Sequence, residues 1–400
     1  MSNISTKVPE EKSQKIRASV LHGVRDLRIE GRFLFPPNPG MVQVAIRTTG
    51  LCGSDLHYYN HYRNGDIIVQ EPLSLGHESA GVITKVGDGV TNVKVGDKVA
   101  LEVGLPCGQC ERCQEGRYNI CKGMKFRSSA KSFPHSQGTL QDRINHPSGW
   151  VHKLRFLLPD GMSLDLGALL EPLGVAIHAE RRAKLVPGSK VLVFGAGTVG
   201  LLSAAVAKIK GASTVAIADI DEGRVNFATQ NGFADIGYTV PLKRGSNIEE
   251  NLEIARATAE AIGTQAKKGG DVIGEVDTVF ECTGVPSCVQ AGIYATRPGG
   301  RLMLIGMGSP IQTLPVSAAA LREVDLVGVF RYANTYPEGI EILSRKDAGY
   351  PDFSKLVTHR FQGLDNAPEA FDMAAKTKDR DGKLVLKVML ETKEDGKAQL

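Results

Sequence analysis

The stretch Val191-Leu192-Val193-Phe194-Gly195-Ala196-Gly197-Thr198-Val199-Gly200 decides the fold of this chain. Four apolar residues run into a G-x-G-x-x-G motif, and small apolar residues then continue to Ile209 in a pattern that predicts a helix. A turn of this kind between a strand and a helix can hold a pyrophosphate on backbone N–H groups. We therefore predict a nucleotide-binding βαβ unit. The alternative is a glycine-rich turn that binds nothing.

Within this motif each glycine has its own steric role. Gly195 makes the tight turn, Gly197 lets the phosphates approach the backbone, and Gly200 lets the helix pack closely on the strand. Val199 lies beside Gly200 at the start of the predicted helix and is included in the predicted cofactor site.

The end of the next predicted strand indicates which dinucleotide binds. Asp219 lies about twenty residues past the glycines, where a carboxylate can hydrogen-bond both ribose hydroxyls and repel a 2′-phosphate. This favours NAD over NADP, while the nearby Arg224 can stack on adenine or help to hold a phosphate. The alternative is that Asp219 is a turn or capping residue ahead of the helix that begins near Asp221.

Apolar strands alternate with helical patterns from about Val186 onward, which predicts a doubly wound parallel sheet. The predicted strands are 191–194, 214–219, 276–281, 300–305 and 326–330, and residues 248–262 form a predicted amphipathic helix. The first 150 residues differ, because they are rich in Gly and Pro and carry short β-branched runs at 42–48, 81–86 and 98–103. The fold class is therefore α/β, with a β-rich domain beside a doubly wound domain.

The composition excludes several classes of protein. The 400 residues are 42% hydrophobic and 23% charged, which is typical of a globular protein of two or three domains. The net charge of +4 is spread along the chain, so no basic stripe predicts a nucleic-acid partner. Residues 1–15 lack the order of a signal peptide and no apolar run reaches about eighteen residues, so we expect a soluble cytoplasmic protein without membrane contact. The C-terminal Ala-Gln-Leu does not match a peroxisomal signal.

Four of the seven cysteines lie close together with the spacing C-x2-C-x2-C-x7-C, namely Cys107, Cys110, Cys113 and Cys121. Four thiolates on one short loop suit a closed tetrahedral zinc site, so this predicted zinc is structural. Iron–sulfur ligation is one alternative, but the spacing departs from the bacterial ferredoxin pattern and no proline follows the last cysteine. Unligated buried cysteines are the other alternative.

A second group of potential ligands is dispersed along the chain and consists of Cys52, His77, Glu78 and Glu171. Each is unremarkable by itself, since a single His–Glu pair is usually a surface or core feature. Together they supply one soft, one borderline and two hard ligands, which is enough for a zinc that keeps a position for water or substrate.

These residues resemble a known family. Gly76-His77-Glu78-Ser79-Ala80-Gly81, with Gly87 and Val90 following, resembles the zinc motif of the medium-chain dehydrogenase/reductase superfamily, as do the four-cysteine lobe and the G-x-G-x-x-G motif. The resemblance extends from about Ala18 to Leu390. It implies two zinc ions, one catalytic and one structural, and a nicotinamide cofactor.

Narrower segments resemble the polyol (sorbitol) dehydrogenase branch, among them 170–174, 290–296, 322–325, 328–335 and 356–361. In simple alcohol dehydrogenases a zinc-binding cysteine occupies the position of Glu171, so the glutamate supports the polyol branch. The resemblance implies Cys52, His77 and Glu78 as direct ligands, with Glu171 either a fourth ligand or held through water. It also implies oxidation of sorbitol, xylitol or a similar polyol to the ketose.

The resemblance further implies the domain organisation. A GroES-like catalytic domain spans residues 1–174, a Rossmann domain spans 175–333, and residues 334–400 return to the first domain. A homotetramer is expected. Two segments, 153–159 and 267–274, are longer than the family pattern and have no predicted role.

Zinc acts as a Lewis acid in the implied mechanism, and hydride passes to NAD. Ser54 and His57 match the positions that carry the hydroxyl proton to solvent. Tyr58, Phe126, Arg331 and Tyr332 match substrate-side positions, although packing is the simpler interpretation of Phe126 and Tyr332. Arg331 can instead form a salt bridge with a carboxylate such as Glu323 or Asp325. The nicotinamide is expected against the strand ends at 282–284, Gly306 and Phe330.

Three rival functions remain at this point. A primary-alcohol or threonine dehydrogenase keeps both zinc sites but is expected to lack the segment 330–335. A non-catalytic NAD-binding protein shares the fold but is expected to have lost a ligand or relay residue, and none is lost here. A zinc-ribbon nucleic-acid binder needs basic and aromatic surroundings that the cysteine lobe lacks.

Overall fold

The computed structural model describes residues 13–154, 162–267, 269–345, 347 and 349–392. Two segments are longer than the family pattern. In the first, 153–159, the positions from 155 onward lie outside the described residues, and in the second, 267–274, Lys268 does. Among the described residues, no helix has both the length and the apolar character needed to cross a membrane.

The strands in the described residues, in chain order, are β1 Gln14–Gly23, β2 Asp26–Leu34, β3 Met41–Gly50, β4 Arg63–Asn64, β5 Ile67–Ile68, β6 Leu73–Ser74, β7 Glu78–Val86, β8 Lys98–Leu101, β9 Gly104–Leu105, β10 Lys125–Phe126, β11 Arg143–Pro147, β12 Val151–Lys153, β13 Lys190–Phe194, β14 Thr214–Asp219, β15 Ile236–Thr239, β16 Val276–Glu281, β17 Thr296–Leu304, β18 Asp325–Gly328, β19 Val357–Gln362 and β20 Lys387–Glu391. The α-helices are α1 Gly53–His61, α2 Glu111–Gln114, α3 Leu164–Ala168, α4 Leu170–Ala183, α5 Thr198–Ile209, α6 Glu222–Gln230, α7 Ile248–Gly263, α8 Pro286–Ala295, α9 Val316–Ala320, α10 Tyr336–Ser344 and α11 Ala367–Ala374. Short 3₁₀ helices occupy Tyr118–Ile120, Ser148–Trp150, Phe353–Leu356 and Leu364–Asn366.

The doubly wound sheet has six parallel strands in the order β15-β14-β13-β16-β17-β18. Alternate residues of each strand point to opposite faces. On β13, Val191 and Val193 pack into one core with α4 and α5, whereas Leu192 and Phe194 pack into a second core with α7 and α8. Burial on both faces explains why the strands are continuous apolar runs, and it confirms the predicted fold class.

The predicted strand ends are correct at β14 and β16 but differ toward the edge of the sheet. β17 begins at Thr296 and not at 300, and β18 covers Asp325–Gly328 and not 326–330. β18 ends at Gly328, and the strand conformation cannot continue past Phe330, because Arg331 has a left-handed φ of 50°.

A second sheet is built from both ends of the chain, in the order β12-β8-β7-β3-β20-β19, with β11 also paired to β3. β20 pairs antiparallel with β3, so residues near position 390 lie beside residues near position 50. This arrangement places Glu391 in a strand, as the last residue of β20. The helix α4 runs without a break through residue 174, and α10 packs against it.

Candidate active site

The four-cysteine lobe brings its sulfur atoms to the separations that one zinc ion needs. The Sγ atoms of Cys110 and Cys113 are 3.5 Å apart, those of Cys107 and Cys121 are 3.5 Å apart, and those of Cys107 and Cys113 are 3.9 Å apart. A tetrahedral zinc with bonds of about 2.3 Å requires sulfur–sulfur distances of about 3.8 Å. Backbone N–H groups of Gln109 and Cys110 lower the pKa of the Cys107 thiol to about 6, which favours the thiolate. The donor set therefore fits a structural zinc.

The dispersed ligands converge because two neighbouring strands present them. Gly50 at the end of β3 pairs with Glu78 at the start of β7, and Cys52 follows β3 as the N-cap of α1. The ligand atoms of Cys52, His77 and Glu78 all lie within 4.8 Å of one another. One thiolate, one imidazole and one carboxylate leave a coordination position open, so these residues fit a catalytic zinc.

Glu171 does not belong to this group among the described residues, although it is buried close by. It lies in the first turn of α4, and burial, with the nearby charge of Glu78, raises its pKa to about 7. The sequence leaves Glu78 and Glu171 as competing candidates for direct ligation of the catalytic zinc, and the geometry favours Glu78.

Asp55 is a site residue that the sequence reasoning did not identify. Its completely buried Oδ1 accepts hydrogen bonds from Ser128 Oγ at 2.6 Å and Gly76 N at 3.2 Å, and lies 3.2 Å from His77 Nδ1. Burial alone would raise the pKa of Asp55, but the interaction with His77 keeps it below its ordinary value. A carboxylate on Nδ1 fixes the imidazole ring and leaves Nε2 for a metal. The sequence feature that could have identified Asp55 as a site residue is its position three residues after Cys52.

Lys387 is the second residue that the sequence did not reveal. Its Nζ lies 2.6 Å and 2.8 Å from the two carboxylate oxygens of Glu78 and donates to Leu51 O at 3.1 Å, and both charged side chains are buried. Burial would lower the pKa of Lys387, but Glu78 raises it. Lys387 is about three hundred positions from Glu78, and only the pairing of β20 with β3 reveals the contact.

The predicted proton relay lies on α1. Ser54 Oγ is 3.5 Å from Cys52 Sγ, and the exposed His57 follows three residues later on the same helix face. Partial desolvation of its ring and the neighbouring His61 lower the pKa of His57, so its imidazole is neutral and able to accept a proton near pH 7. Tyr58 is buried, and its hydroxyl already accepts a hydrogen bond from Ala130 N at 3.3 Å.

Arg331 has an unusual environment for a half-buried cation. Its guanidinium lies 3.6 Å from the ring centre of Phe126 and 4.7 Å from that of Phe330. Burial lowers its pKa to about 10. The proposed salt bridge is not found in the described residues, where Asp325 pairs with Arg301 at 3.2 Å.

Phe126 links this cation to the candidate zinc ligands, since its ring also lies 5.5 Å from that of His77. Tyr332 is buried and packs 5.7 Å from Tyr336, in agreement with the simpler interpretation of packing. Its hydroxyl has no hydrogen-bond partner within the described residues.

The glycine motif has the geometry of a phosphate site. Gly195 has a φ of 94°, and a Cβ on Gly200 would lie 1.7 Å from Gly195 O. A Cβ on Gly197 would meet nothing within 4 Å, which leaves open space in front of the helix that begins at Thr198. Val199 is in the first turn of that helix. The residues therefore fit a dinucleotide whose pyrophosphate approaches Gly197.

The other residues predicted to bind the cofactor lie around the same edge of the sheet. Asp219 accepts from Ala196 N at 2.6 Å and from Asp221 N at 2.9 Å, while Asp221 caps α6. Arg224 donates to Val385 O at 3.3 Å, so it reaches the returning segment of the chain. At Gly306 the backbone approaches Gly284 so closely that a Cβ would lie 2.1 Å from its nitrogen.

Comparison with known families assigns this architecture. The family model of the alcohol dehydrogenase GroES-like domain matches residues 38–156, and that of the zinc-binding dehydrogenase matches residues 198–345. The fold and the two thiolate-containing sites thus define a zinc-dependent oxidoreductase, as predicted.

Similar chains specify the branch. Sorbitol dehydrogenase from Gallus gallus is 40% identical over 374 residues, which cover 94% of this chain and 96% of the relative. Sorbitol dehydrogenase from Homo sapiens is 40% identical over 372 residues, 93% of this chain and 94% of the relative. L-idonate 5-dehydrogenase from Vitis vinifera is 37% identical over 92% of this chain and 93% of the relative. The chain belongs to the sorbitol dehydrogenase branch of the zinc-dependent medium-chain dehydrogenase/reductases, and the predicted family is confirmed.

Solved structures have the same architecture. L-idonate 5-dehydrogenase from Escherichia coli superposes with a TM-score of 0.79 at 25% identity, covering 95% of this chain and 99% of that one. 2R,3R-butanediol dehydrogenase from Bacillus subtilis superposes with a TM-score of 0.73 at 27% identity, covering 94% of this chain and 99% of that one.

Proposed function

We propose that this chain oxidises a secondary hydroxyl of a polyol such as sorbitol or xylitol to the ketose, with NAD as hydride acceptor. One observation carries the choice of substrate. Arg331 is a half-buried guanidinium with no carboxylate partner in the described residues, and it shares Phe126 as a neighbour with the zinc ligand candidate His77. A guanidinium offers five donors in a fixed fork, which suits a substrate with several hydroxyl groups.

The relatives support this choice, because those with high similarity include sorbitol dehydrogenases from Gallus gallus and Homo sapiens. Asp219 at the end of β14 supports NAD, because its carboxylate would repel a 2′-phosphate.

Cys52, His77 and Glu78 would hold the catalytic zinc, with Glu171 facing the same region. A bound zinc supplies Lewis acidity that lowers the pKa of an alcohol, and NAD supplies the hydride acceptor. Asp55 orients the His77 ring through Nδ1, and Lys387 holds the Glu78 carboxylate. These contacts keep the ligand set in place before substrate arrives.

The proton must leave a buried site, and α1 offers the route. Ser54, beside Cys52, would take up the hydroxyl proton as it releases its own proton toward His57, whose neutral and exposed imidazole would accept a proton and pass it to solvent. Arg331 orients the substrate through the hydroxyls that do not react. Leaving its donors unpaired disfavours a plain hydrocarbon alcohol.

We also propose that the molecule is a cytoplasmic homotetramer. Two candidate zinc sites built on cysteines that form no disulfide in the described residues suit a reducing compartment. β18 is the last strand of its sheet within the described residues, and Leu326 on it and Leu321 before it are exposed. Such an edge can pair with a second copy. Sedimentation should give four chains of 42.9 kDa.

Initial rates with purified enzyme test the proposal. The initial rates of oxidation of sorbitol, xylitol and arabinitol are compared with those of a primary alcohol and of threonine. Each substrate is assayed once with NAD and once with NADP as the cofactor, and the zinc content per chain is measured. We expect polyol oxidation with NAD and two zinc ions per chain. Turnover confined to the primary alcohol or threonine, or the absence of turnover with every substrate, would contradict it.

A further inference from the structure

The segment that carries Arg331 has a strained backbone. Arg331 has a φ of 50° and Asn334 a φ of 58°, and both are non-glycine residues in the left-handed region. Side chains with a Cβ rarely adopt this conformation, and an arginine does so less readily than an asparagine. Contacts from outside the segment must therefore hold residues 330–334 in place.

Three of these contacts come from the four-cysteine lobe, between Cys113 and Cys121. Asn119 Nδ2 donates to Phe330 O at 2.8 Å. Asn334 N donates to Tyr118 Oη at 2.6 Å, and Asn334 Nδ2 donates to Gly116 O at 2.9 Å. The lobe thus holds the segment on both sides of Arg331.

Asn119 is itself rigidly placed. It is 5% exposed, and its Nδ2 also lies 3.3 Å from His178 Nε2 on α4. Burial and nearby arginines lower the pKa of His178 to about 4, so its imidazole is neutral and retains a lone pair for the Asn119 amide. The side chain therefore connects α4, the cysteine lobe and the carbonyl that precedes Arg331.

We propose that Asn119 is a positioning residue for Arg331, and that the cysteine lobe in this way sets the geometry of the substrate pocket. The inference rests on the proposed role of Arg331 in binding the polyol. The hydrogen bond to Phe330 O fixes the peptide plane between residues 330 and 331, and this plane sets the direction of the Arg331 side chain. The guanidinium also lies 3.6 Å from the ring centre of Phe126 on β10, which follows Cys121 by five residues, so the chain that leaves the lobe contacts Arg331 as well.

Asn119→Ala and the isosteric Asn119→Asp test the proposal. Asn119→Asp keeps the volume but replaces the donor by an acceptor that repels Phe330 O. We expect KM for sorbitol to rise about three- to tenfold in each variant, the range of one lost hydrogen bond, with a much smaller change in kcat. A short secondary alcohol has no further hydroxyls for Arg331, so its kcat/KM should change by less than about twofold.

Asn145→Ala is the matched control, because Asn145 Nδ2 also donates to a carbonyl, Phe35 O at 3.0 Å, but away from the 330–334 segment. It should leave KM for sorbitol unchanged. In an Arg331→Leu background, Asn119→Ala should add no further rise in KM, since its effect passes through Arg331. Zinc content should stay at the wild-type value in all variants.

A crystal structure of either Asn119 variant gives a readout that does not depend on catalysis. We expect Arg331 to leave its left-handed φ or its guanidinium to leave the Phe126 ring. An unchanged Arg331, or an unchanged KM for sorbitol together with a lower Tm, would overturn the proposal. If Arg331→Leu alone leaves sorbitol oxidation intact, the proposed function of Arg331 fails instead, and the variant structure still decides whether Asn119 positions it.

Discussion

Lys387 Nζ lies within 2.8 Å of both carboxylate oxygens of Glu78, and the two side chains are almost completely buried. Breaking a buried ion pair by removing one partner leaves an uncompensated charge and costs about 3–5 kcal/mol. A bound zinc offers Glu78 a second positive charge. Lys387→Met should therefore lower Tm more in the zinc-free protein than in the zinc-loaded protein.

Lys383→Met is the control for this variant, because Lys383 is exposed in the same segment and its Nζ donates only to Thr358 O in the described residues. It should leave Tm nearly unchanged in both forms. Equal losses of Tm with and without zinc for Lys387→Met would show that Lys387 does not act through Glu78.

The two zinc sites should respond differently to loss of a ligand, because only the dispersed site leaves an open coordination position. Cys52→Ser or His77→Ala should abolish turnover while the fold persists and NAD still binds. Cys110→Ser should instead lower Tm or disturb assembly. Metal analysis, calorimetry and NAD titration measure the three effects, and normal turnover in His77→Ala protein that lacks one zinc would contradict the assignment.

The glycine motif offers a matched pair of substitutions. Gly197→Ala adds a methyl group in open space, so the fold should be retained while the phosphates are blocked and Kd for NAD rises. Gly200→Ala places its methyl 1.7 Å from Gly195 O, so the turn itself must move and Tm should fall. Titration calorimetry and thermal unfolding separate the outcomes. Wild-type NAD affinity in Gly197→Ala would argue against a phosphate at this turn.

Asp219 should determine the preference between the two dinucleotides, through repulsion of a 2′-phosphate and hydrogen bonds to the ribose. Asp219→Ala should lower kcat/KM for NAD and narrow its advantage over NADP. The ratio of kcat/KM values for the two cofactors measures this. If the wild-type enzyme already prefers NADP, or if the ratio is unchanged in the variant, Asp219 does not determine the preference for NAD over NADP.

Arg331 should matter for polyols and not for simple alcohols. Losing one charged hydrogen bond to substrate costs about 1.5–3 kcal/mol, or roughly ten- to more than a hundredfold in kcat/KM for sorbitol. Arg331→Leu should therefore damage sorbitol oxidation far more than oxidation of a short secondary alcohol. Equal losses on both substrates with a lower Tm would indicate a role in stability.

Local patterns in the sequence were sufficient for the doubly wound sheet and the cysteine lobe. The strands 214–219 and 276–281 were predicted to the residue, because strands buried on both faces are continuous apolar runs. The cysteine lobe was readable because its ligands are close in sequence, so their spacing alone limits the chemistry. The dispersed ligands were found mainly through a family resemblance, since Cys52, His77 and Glu78 meet only when β3 pairs with β7.

Only the tertiary structure could reveal what supports the ligands. Asp55 and Lys387 act through contacts that depend on the ring orientation of His77 and on the return of β20 beside β3. The geometry also favoured Glu78 over Glu171, two carboxylates that are chemically equivalent in the sequence. Residue type determines which interactions are available, whereas distance and burial decide which of them form, and both of these depend on pairings between strands far apart in the chain.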